Sequence, residues 1–471
     1  MKQLWKVLCA VLLVTALAAC SNDDDNDGKV TLNPKALFLD WGESGTISFS
    51  GVNIKSFALG SYPEGWPKPE INTVTHTLTV TAPEKGAEVA STGTVRVNGA
   101  TKGGEVIGAS LYVSIGSEEF DYTQQPANCY MAGEANAHYL ISATKRPDGS
   151  VGVAPASVAV VWQTSSNLIQ YLEMEGDVIS FYIGSDSDDA TKIKSGNALI
   201  GGYDAAGELV WSWHVWASDY DAEASAVELG DYTLMARHLG ALANTAETIE
   251  DHLKSYGLYY QWGRKEPFIG PERYTAEQGE TAPLYNGNLE YVYLSMVASD
   301  SETGNYDYAT KHPMHFLTTS SKSEPWNKQT ATVAEGWNTS DKSVNDPCPY
   351  GWRVAPASAF DALTIADDLT ADGSDYTDQF GWTLTDGTHA SFFFAAGRRT
   401  YLDGKIQNLY DESLSRNAAT EAQPWVGYNW TADGAAFAFW FNKADVTTSG
   451  LRADLQMSTA NGMSVRCVRE K

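Results

Sequence analysis

Few side chains in this sequence are spaced for chemistry. His312-Pro313-Met314-His315 has a metal-like spacing, but no nearby cysteine or third histidine completes a site and Pro313 opposes a helical pair, so no metal is expected there. Asp186-Ser187-Asp188-Asp189 offers carboxylate oxygens of the kind calcium takes. It lacks the glycine and the distal glutamate of an EF-hand loop, and a solvated turn is the better reading. The metalloprotease, nucleophile-elbow, phosphate-loop, dinucleotide and C-x-x-C patterns are missing from the sequence. With 59 acidic residues, no one pair of carboxylates singles itself out for glycosidase chemistry. The expectation is a protein with no catalytic residue and no cofactor.

The first 29 residues give an address. Lys2 and Lys6 precede an apolar run from Val7 to Ala16, which is too short to cross a bilayer as a helix. Leu17-Ala18-Ala19-Cys20 then has the pattern of a lipoprotein signal, in which cleavage after residue 19 leaves Cys20 as a lipidated first residue. Two or three acyl chains meet the requirement for stable attachment that a single chain does not. Residues 20–29 form an acidic tether with nothing to bury. No later segment reaches the roughly 18 consecutive apolar residues of a membrane span.

Removing residues 1–19 deletes Lys2 and Lys6 and no carboxylate, so a formal charge of -27 becomes -27 - 2 = -29. That field repels phosphate backbones and anionic headgroups, which argues against nucleic acid and leaves the lipid as the membrane contact. Of five cysteines, Cys9 leaves with the signal and Cys20 carries the lipid. Cys129, Cys348 and Cys467 remain, enough for one internal disulfide, which export permits.

The elements that follow are mainly β. Fifteen tryptophans and 24 tyrosines, with 19% charged residues, suit β-rich extracellular modules. Across 30–116, Leu37 and Leu39, Ile47 and Phe49, Leu78 and Val80, Val95 and Val97, and Leu111, Val113 and Ile115 repeat at period two, which predicts an antiparallel sandwich. Its pattern resembles the Ig-like modules, including the BACON type, that precede functional domains in bacterial surface proteins. A polar stretch ended by Pro126 opens a second β module, 117–221. Its segment Trp211-Ser212-Trp213-His214-Val215-Trp216 has aromatic residues on both faces and reads as a central strand buried on both sides. Residues 222–471 read as α+β. Asn244 with Glu247 opens a helix that Gly257 closes, and a second helix starts near Pro356 and carries Phe360 and Leu363 inward.

Three ordered blocks in this last region carry a resemblance. Gly257-Leu258-Tyr259-Tyr260-Gln261-Trp262-Gly263-Arg264-Lys265-Glu266-Pro267-Phe268, Asn345-Asp346-Pro347-Cys348-Pro349-Tyr350-Gly351-Trp352-Arg353-Val354 and Ser464-Val465-Arg466-Cys467-Val468-Arg469 resemble the FISUMP family, the major paralogous domain of bacterial surface lipoproteins. The resemblance implies a C-type-lectin-like fold, also used by formylglycine-generating enzymes, and a Cys348–Cys467 disulfide tying the last strand to the loop before the second helix. Closing so long a loop is worth about 4 to 5 kcal/mol in the chain-entropy model. Cys129 is then a small buried apolar residue.

Fold kinship does not transfer activity. The calcium-dependent sugar site of lectins has its nearest strings here in Glu324-Pro325-Trp326 and Tyr428-Asn429-Trp430, and neither supplies the ligands. The formylglycine-generating reaction needs paired active-site cysteines, which the disulfide uses up. Arg398 and Arg399 sit where family members show an aromatic and an arginine, either as structural cations or as the polar edge of a ligand groove. Trp425, Trp430 and Trp440 fall where lectin-like folds place their binding loops, so these five residues are the candidate ligand contacts. The reading is a non-enzymatic lipoprotein of the outer membrane, facing the cell exterior and binding a glycan or a surface protein. The rivals are a tip or accessory subunit of a fimbria-like assembly and, third, an enzyme on the formylglycine-generating scaffold. The acidic run after Cys20 also resembles the export signal of such surface lipoproteins. Replacing Asp23 to Asp25 with alanine is expected to hide the protein from external protease in intact cells, and unchanged cleavage would contradict this address.

Overall fold

The computed structural model describes residues 28–116, 118–189, 191–245, 247–271, 283–329, 336–366, 381–409, 426–440 and 449–470. The signal segment, Cys20, the tether through Asp27, and Trp425 lie outside them; Lys29, at the tether's end, already starts the first strand. The chain is mainly β and divides into two compact units at Ile115/Gly116. No helix among the described residues is long and apolar enough to cross a membrane.

The first unit is a sandwich of two four-stranded sheets. Lys29–Asn33 pairs antiparallel with Ser44–Val52, but Ala36–Leu39 joins the opposite sheet, parallel to Val106–Ile115. Pro34 lies at the switch, where a residue without an N–H cannot continue the first ladder. The period-two residues meet as expected: Ile47, Phe49, Leu78 and Val80 from one sheet pack with Val95, Val97, Leu111 and Val113 from the other. On the outer face Thr46 and Thr79, and Ser44 and Thr81, join hydroxyls across the strands at 2.8 Å.

In the second unit a four-stranded sheet, including Ala137–Ser142 and Val178–Ile183, covers one face of a six-stranded sheet. The larger sheet runs in the order Cys129–Ala132, Leu209–Ala217, Gly196–Tyr203, Ser157–Gln163, Leu284–Tyr285, Tyr291–Val292. Trp213 and Val215 enter the core between these sheets, while Trp216 enters a core on the other side with Tyr260, Trp352, Trp430 and Val465. The two-sided aromatic strand is thus a central strand buried on both faces. A bulge between Val160 and Trp162 sends the first into one core and the second into the other. The packing does not break at 221/222, where the sequence suggested a module boundary: both the larger sheet and the shared core draw residues from either side.

Helices are short. The first runs Ile249–Ser255, and its N-cap is Thr248, which accepts from the Asp251 N–H, rather than Asn244. Gly257 follows its end at φ +72°, as a C-terminal cap requires. The expected helix after Pro356 is one 3-10 turn, Ala357–Ala359, although Phe360 and Leu363 are buried as anticipated. A further helix, Tyr306–Lys311, is capped by Asn305.

Four histidines of this unit are buried, and burial pushes His138, His214, His238 and His252 each down to about 3. They stay neutral in the folded chain but take up protons near the ordinary value of about 6.5 once unfolded. Stability present above about 6.5 is therefore lost as pH falls toward 3. Thermal unfolding of the full chain at pH 4.5 is expected at least about 5 °C below that at pH 7.5; an equal midpoint would contradict this burial.

Candidate functional site

Most polar side chains of the three sequence blocks are spent inside the protein; Tyr350 and Arg469 are the exposed ones. The Gln261 amide donates to the carbonyls of Leu317 (2.7 Å) and Ala460 (2.8 Å), and its oxygen accepts from Arg264 Nη1 at 3.0 Å. Glu266, fully enclosed, meets Arg264 Nε at 3.2 Å and Lys265 Nζ at 2.9 Å. Burial pushes its carboxyl up, and Lys265 and Arg264 more than offset this, holding it below the ordinary range. Lys265 also donates to Ser212 Oγ at 2.7 Å and lies 4.3 Å over the Trp211 ring. Arg466 donates to the carbonyls of Ala236 and Phe392 and lies 3.7 Å over Phe393; burial pushes it down to about 9.

Cys348 and Cys467 form the disulfide, closing a separation of 119 residues, and Cys129 is a buried free thiol. Of the five candidate ligand contacts, two are corrected. Arg399 is buried and spends its guanidinium on the carbonyls of Ile269 and Gly404. Trp430 is wholly buried and donates to the Tyr260 carbonyl at 2.9 Å, so its ring cannot stack on a ligand. Trp440 is half-buried against the shared core. Arg398 is half-buried, 5.3 Å over Tyr428, with Met457 Sδ as its contact at 3.8 Å. Trp425 lies outside the described residues. His312 and His315 stack with ring centroids 4.8 Å apart, and no metal-ligating cluster occurs among the described residues. In the Asp186–Asp189 stretch two of the three aspartates accept backbone N–H groups, Asp186 from Asp188 and Asp189 from Thr191.

The surface that remains offers a row the sequence reading missed. Leu284–Tyr285 and Tyr291–Val292 form a hairpin whose turn is fixed by Asn286 Oδ1 accepting from the N–H groups of Asn288 and Glu290. Val292 and Leu294 pack against the shared core, so period two turns Tyr291 (58% exposed) and Tyr293 (73%) outward. Tyr285 pairs with Tyr291, ring centroids 5.0 Å apart. The chain runs on into Ser295–Ala298, parallel to His315–Thr318, and that pair leads into an open cavity of about 760 Å³.

Ser299, Asp300, Thr318, Ser320, Glu324, Lys328 and exposed Leu402 line this cavity. The backbone N–H groups of Thr303 and Glu302 hold the Asp300 carboxyl below its ordinary range, and the Ser320 hydroxyl, then Lys328, do the same for Glu324. These bonds fall on Asp300 Oδ1 and Glu324 Oε2, so among the described residues each carboxylate keeps its other oxygen as an acceptor. Hydroxyls and two ionised carboxylates in the cavity, and exposed tyrosine rings earlier on the same segment, can hydrogen-bond and stack on a polyhydroxylated ligand. The signal in the sequence was Tyr291-Val292-Tyr293-Leu294, an alternation in which the hydroxyl-bearing rings take the outer positions.

No family model and no curated protein sequence matches this chain. Among solved structures it is similar to the D00-D0 domain of Intimin, at 13% identity and TM-score 0.17 over 40% of this chain and 96% of that one. It is also similar to the human Desmocollin-1 ectodomain, at 14% identity and TM-score 0.15 over 42% of this chain and 38% of the other. A third, the endo-fucoidan hydrolase MfFcnA9 from glycoside hydrolase family 107, matches at 13% identity and TM-score 0.15 over 39% of this chain and 32% of that one. The match thus spans only about a third of the desmocollin and hydrolase chains, and at these TM-scores none of the three likenesses bears on function.

The two classes of aromatic residue separate experimentally. Trp430→Ala is expected to cost about 3 to 5 kcal/mol of stability in denaturant unfolding, and Tyr293→Ala to stay within about 0.5 kcal/mol. Equal losses would contradict the assignment of one ring to the core and the other to the surface.

Proposed function

We propose that this protein is a non-enzymatic cell-surface lipoprotein, held to the outer membrane through Cys20, that binds a glycan on its C-terminal unit. The observation that carries the reading is the exposed pair Tyr291 and Tyr293, with Tyr285 against the first, on a segment that continues through Ser295–Ala298 to the cavity around Asp300 and Glu324. The FISUMP-like blocks enter as scaffold for that surface, and Arg398 and Trp440 lie away from its lining.

The carboxylates favour binding over turnover. Glycoside hydrolysis needs one carboxyl kept protonated near neutrality by a raised pKa, and both carboxyls here are held low. They suit acceptors for sugar hydroxyls instead. The lowering also sets a pH signature: both groups stay ionised as pH falls from 8 to 5.

A panel of immobilised neutral polysaccharides tests this with the full chain. At least one is expected to retain it, with retention level from pH 8 to 5, and the Tyr291→Ala, Tyr293→Ala double variant weakened about tenfold. A blank panel, or retention indifferent to the double variant, would remove the reading. Release of reducing ends would return the enzyme to consideration.

A further inference from the structure

A second open cavity in the same unit, of about 600 Å³, has different chemistry. It lies between three stretches: the strand Cys129–Ala132 with the loop through Glu134, the Asp219–Glu223 loop, and the Pro349-Tyr350-Gly351-Trp352 turn. Its walls combine aromatic rings with carboxylates, and two of these combinations already hold a guanidinium from this chain. Arg237 lies 4.6 Å over the Tyr220 ring, within reach of the Asp219 charge. Arg469 lies 5.4 Å over Trp352 and pairs with Glu223.

The third combination has the same parts, and among the described residues no cation lies over its Tyr122 ring: Lys145 Nζ is held by the Thr123 carbonyl (3.2 Å) and Gln124 Oε1 (2.6 Å), and Arg146 lies over Trp211. Tyr122, half-buried, stacks on Tyr130 with ring planes 15° apart and centroids at 6.2 Å. Glu134 lines the same cavity, its backbone pinned by the Tyr139 hydroxyl, which accepts from the Glu134 N–H at 2.9 Å and donates to its carbonyl at 2.8 Å. Burial, then the Glu134 charge, pushes the Tyr122 phenol up, which places carboxylate and ring in one electrostatic neighbourhood. The Glu134 carboxylate itself takes no hydrogen bond or ion pair among the described residues. Tyr350, 53% exposed, adds an open ring at the rim.

We infer that this groove is a docking site for a lysine or arginine side chain carried by a partner protein, seated on Tyr122 against Glu134 as Arg237 and Arg469 are seated on their own rings. Charge complementarity selects this occupant: a cation stacked on a ring and faced by a carboxylate is stabilised by both, and the mature chain's net -29 steers basic segments toward it. The site is separate from the tyrosine row and does not depend on the glycan reading. It offers the surface protein a way to hold a basic partner while a neutral glycan occupies the other cavity.

Fluorescence anisotropy with a labelled Ser-Arg repeat peptide tests this on the full chain, with the citrulline form of the same peptide as the uncharged twin. The arginine peptide is expected to bind at least about tenfold tighter than the citrulline peptide. Glu134→Gln and Tyr122→Ala should each weaken it several-fold. Glu228→Gln, which removes an exposed carboxylate elsewhere in the unit, should leave it unchanged. Glu134 is exposed, so its variant is expected to keep the unfolding midpoint of the parent. Equal binding of the two peptides would show that the groove does not read a cation, and equal loss in Glu228→Gln and Glu134→Gln would reduce the effect to net charge; either overturns the site. Displacement of the peptide by glucosamine at lower concentration than by free arginine would assign the groove to an amino sugar and overturn the partner named here.

Discussion

A single buried carboxylate organises the C-terminal unit. Asp346, with no exposure, accepts from Lys342 Nζ (2.8 Å) and the Cys348 N–H (2.9 Å) on one oxygen and from the Val354 N–H (2.9 Å) on the other. Lys342 spends its remaining donors on the carbonyls of Cys348 and Trp352. These bonds set the turn from Pro347 to Gly351, aim Cys348 at Cys467 and bring Trp352–Val354 beside Cys467–Arg469. Asn128 ties the same loop to the six-stranded sheet through the carbonyls of Val344 and Asp346. An ion pair buried this deeply is costly to break, about 3 to 5 kcal/mol for losing one partner, because the other charge is left stranded. The shared core, the disulfide and the Tyr350 turn of the acidic groove all hang from it.

This explains what the sequence blocks are for. Their charged and amide residues look like chemistry on paper, yet Gln261, Arg264, Glu266, Asp346 and Arg466 each find their partners inside the chain. A buried polar group left unpaired costs more than a pair contributes, so such residues come as complete sets or not at all. What is left to meet a ligand is the outer face of short strands and turns outside the blocks, with Tyr350 the one exposed ring of the second block.

The sequence made the first unit legible because each of its strands buries one face only, and period two shows that directly in Ile47 with Phe49 and Leu78 with Val80. The Trp211–Trp216 segment was equally readable, since a strand apolar on both sides has to be central. The helix start was misplaced by four residues because Asn244 with Glu247 and Thr248 with Asp251 offer the same cap pattern, and only the surrounding packing decides between them. The 221/222 boundary failed for a related reason: composition changes there, but the sheet continues through Leu284–Tyr285 and the core is shared. Ring identity does not encode exposure. Trp430 and Tyr293 are both aromatic residues in extended segments, and only tertiary contacts send one into the core and the other into solvent.

Internal blocks and an external strip divide the labour in this unit. Mass-spectrometric footprinting of the full chain, with and without a saturating neutral oligosaccharide that it retains, tests this division directly. Protection confined to residues 285–302 and 318–328 and to Leu402, with residues 257–268, 345–354 and 464–469 unchanged, is the predicted result. Protection centred on the three blocks, with the tyrosine row left fully labelled, would contradict it.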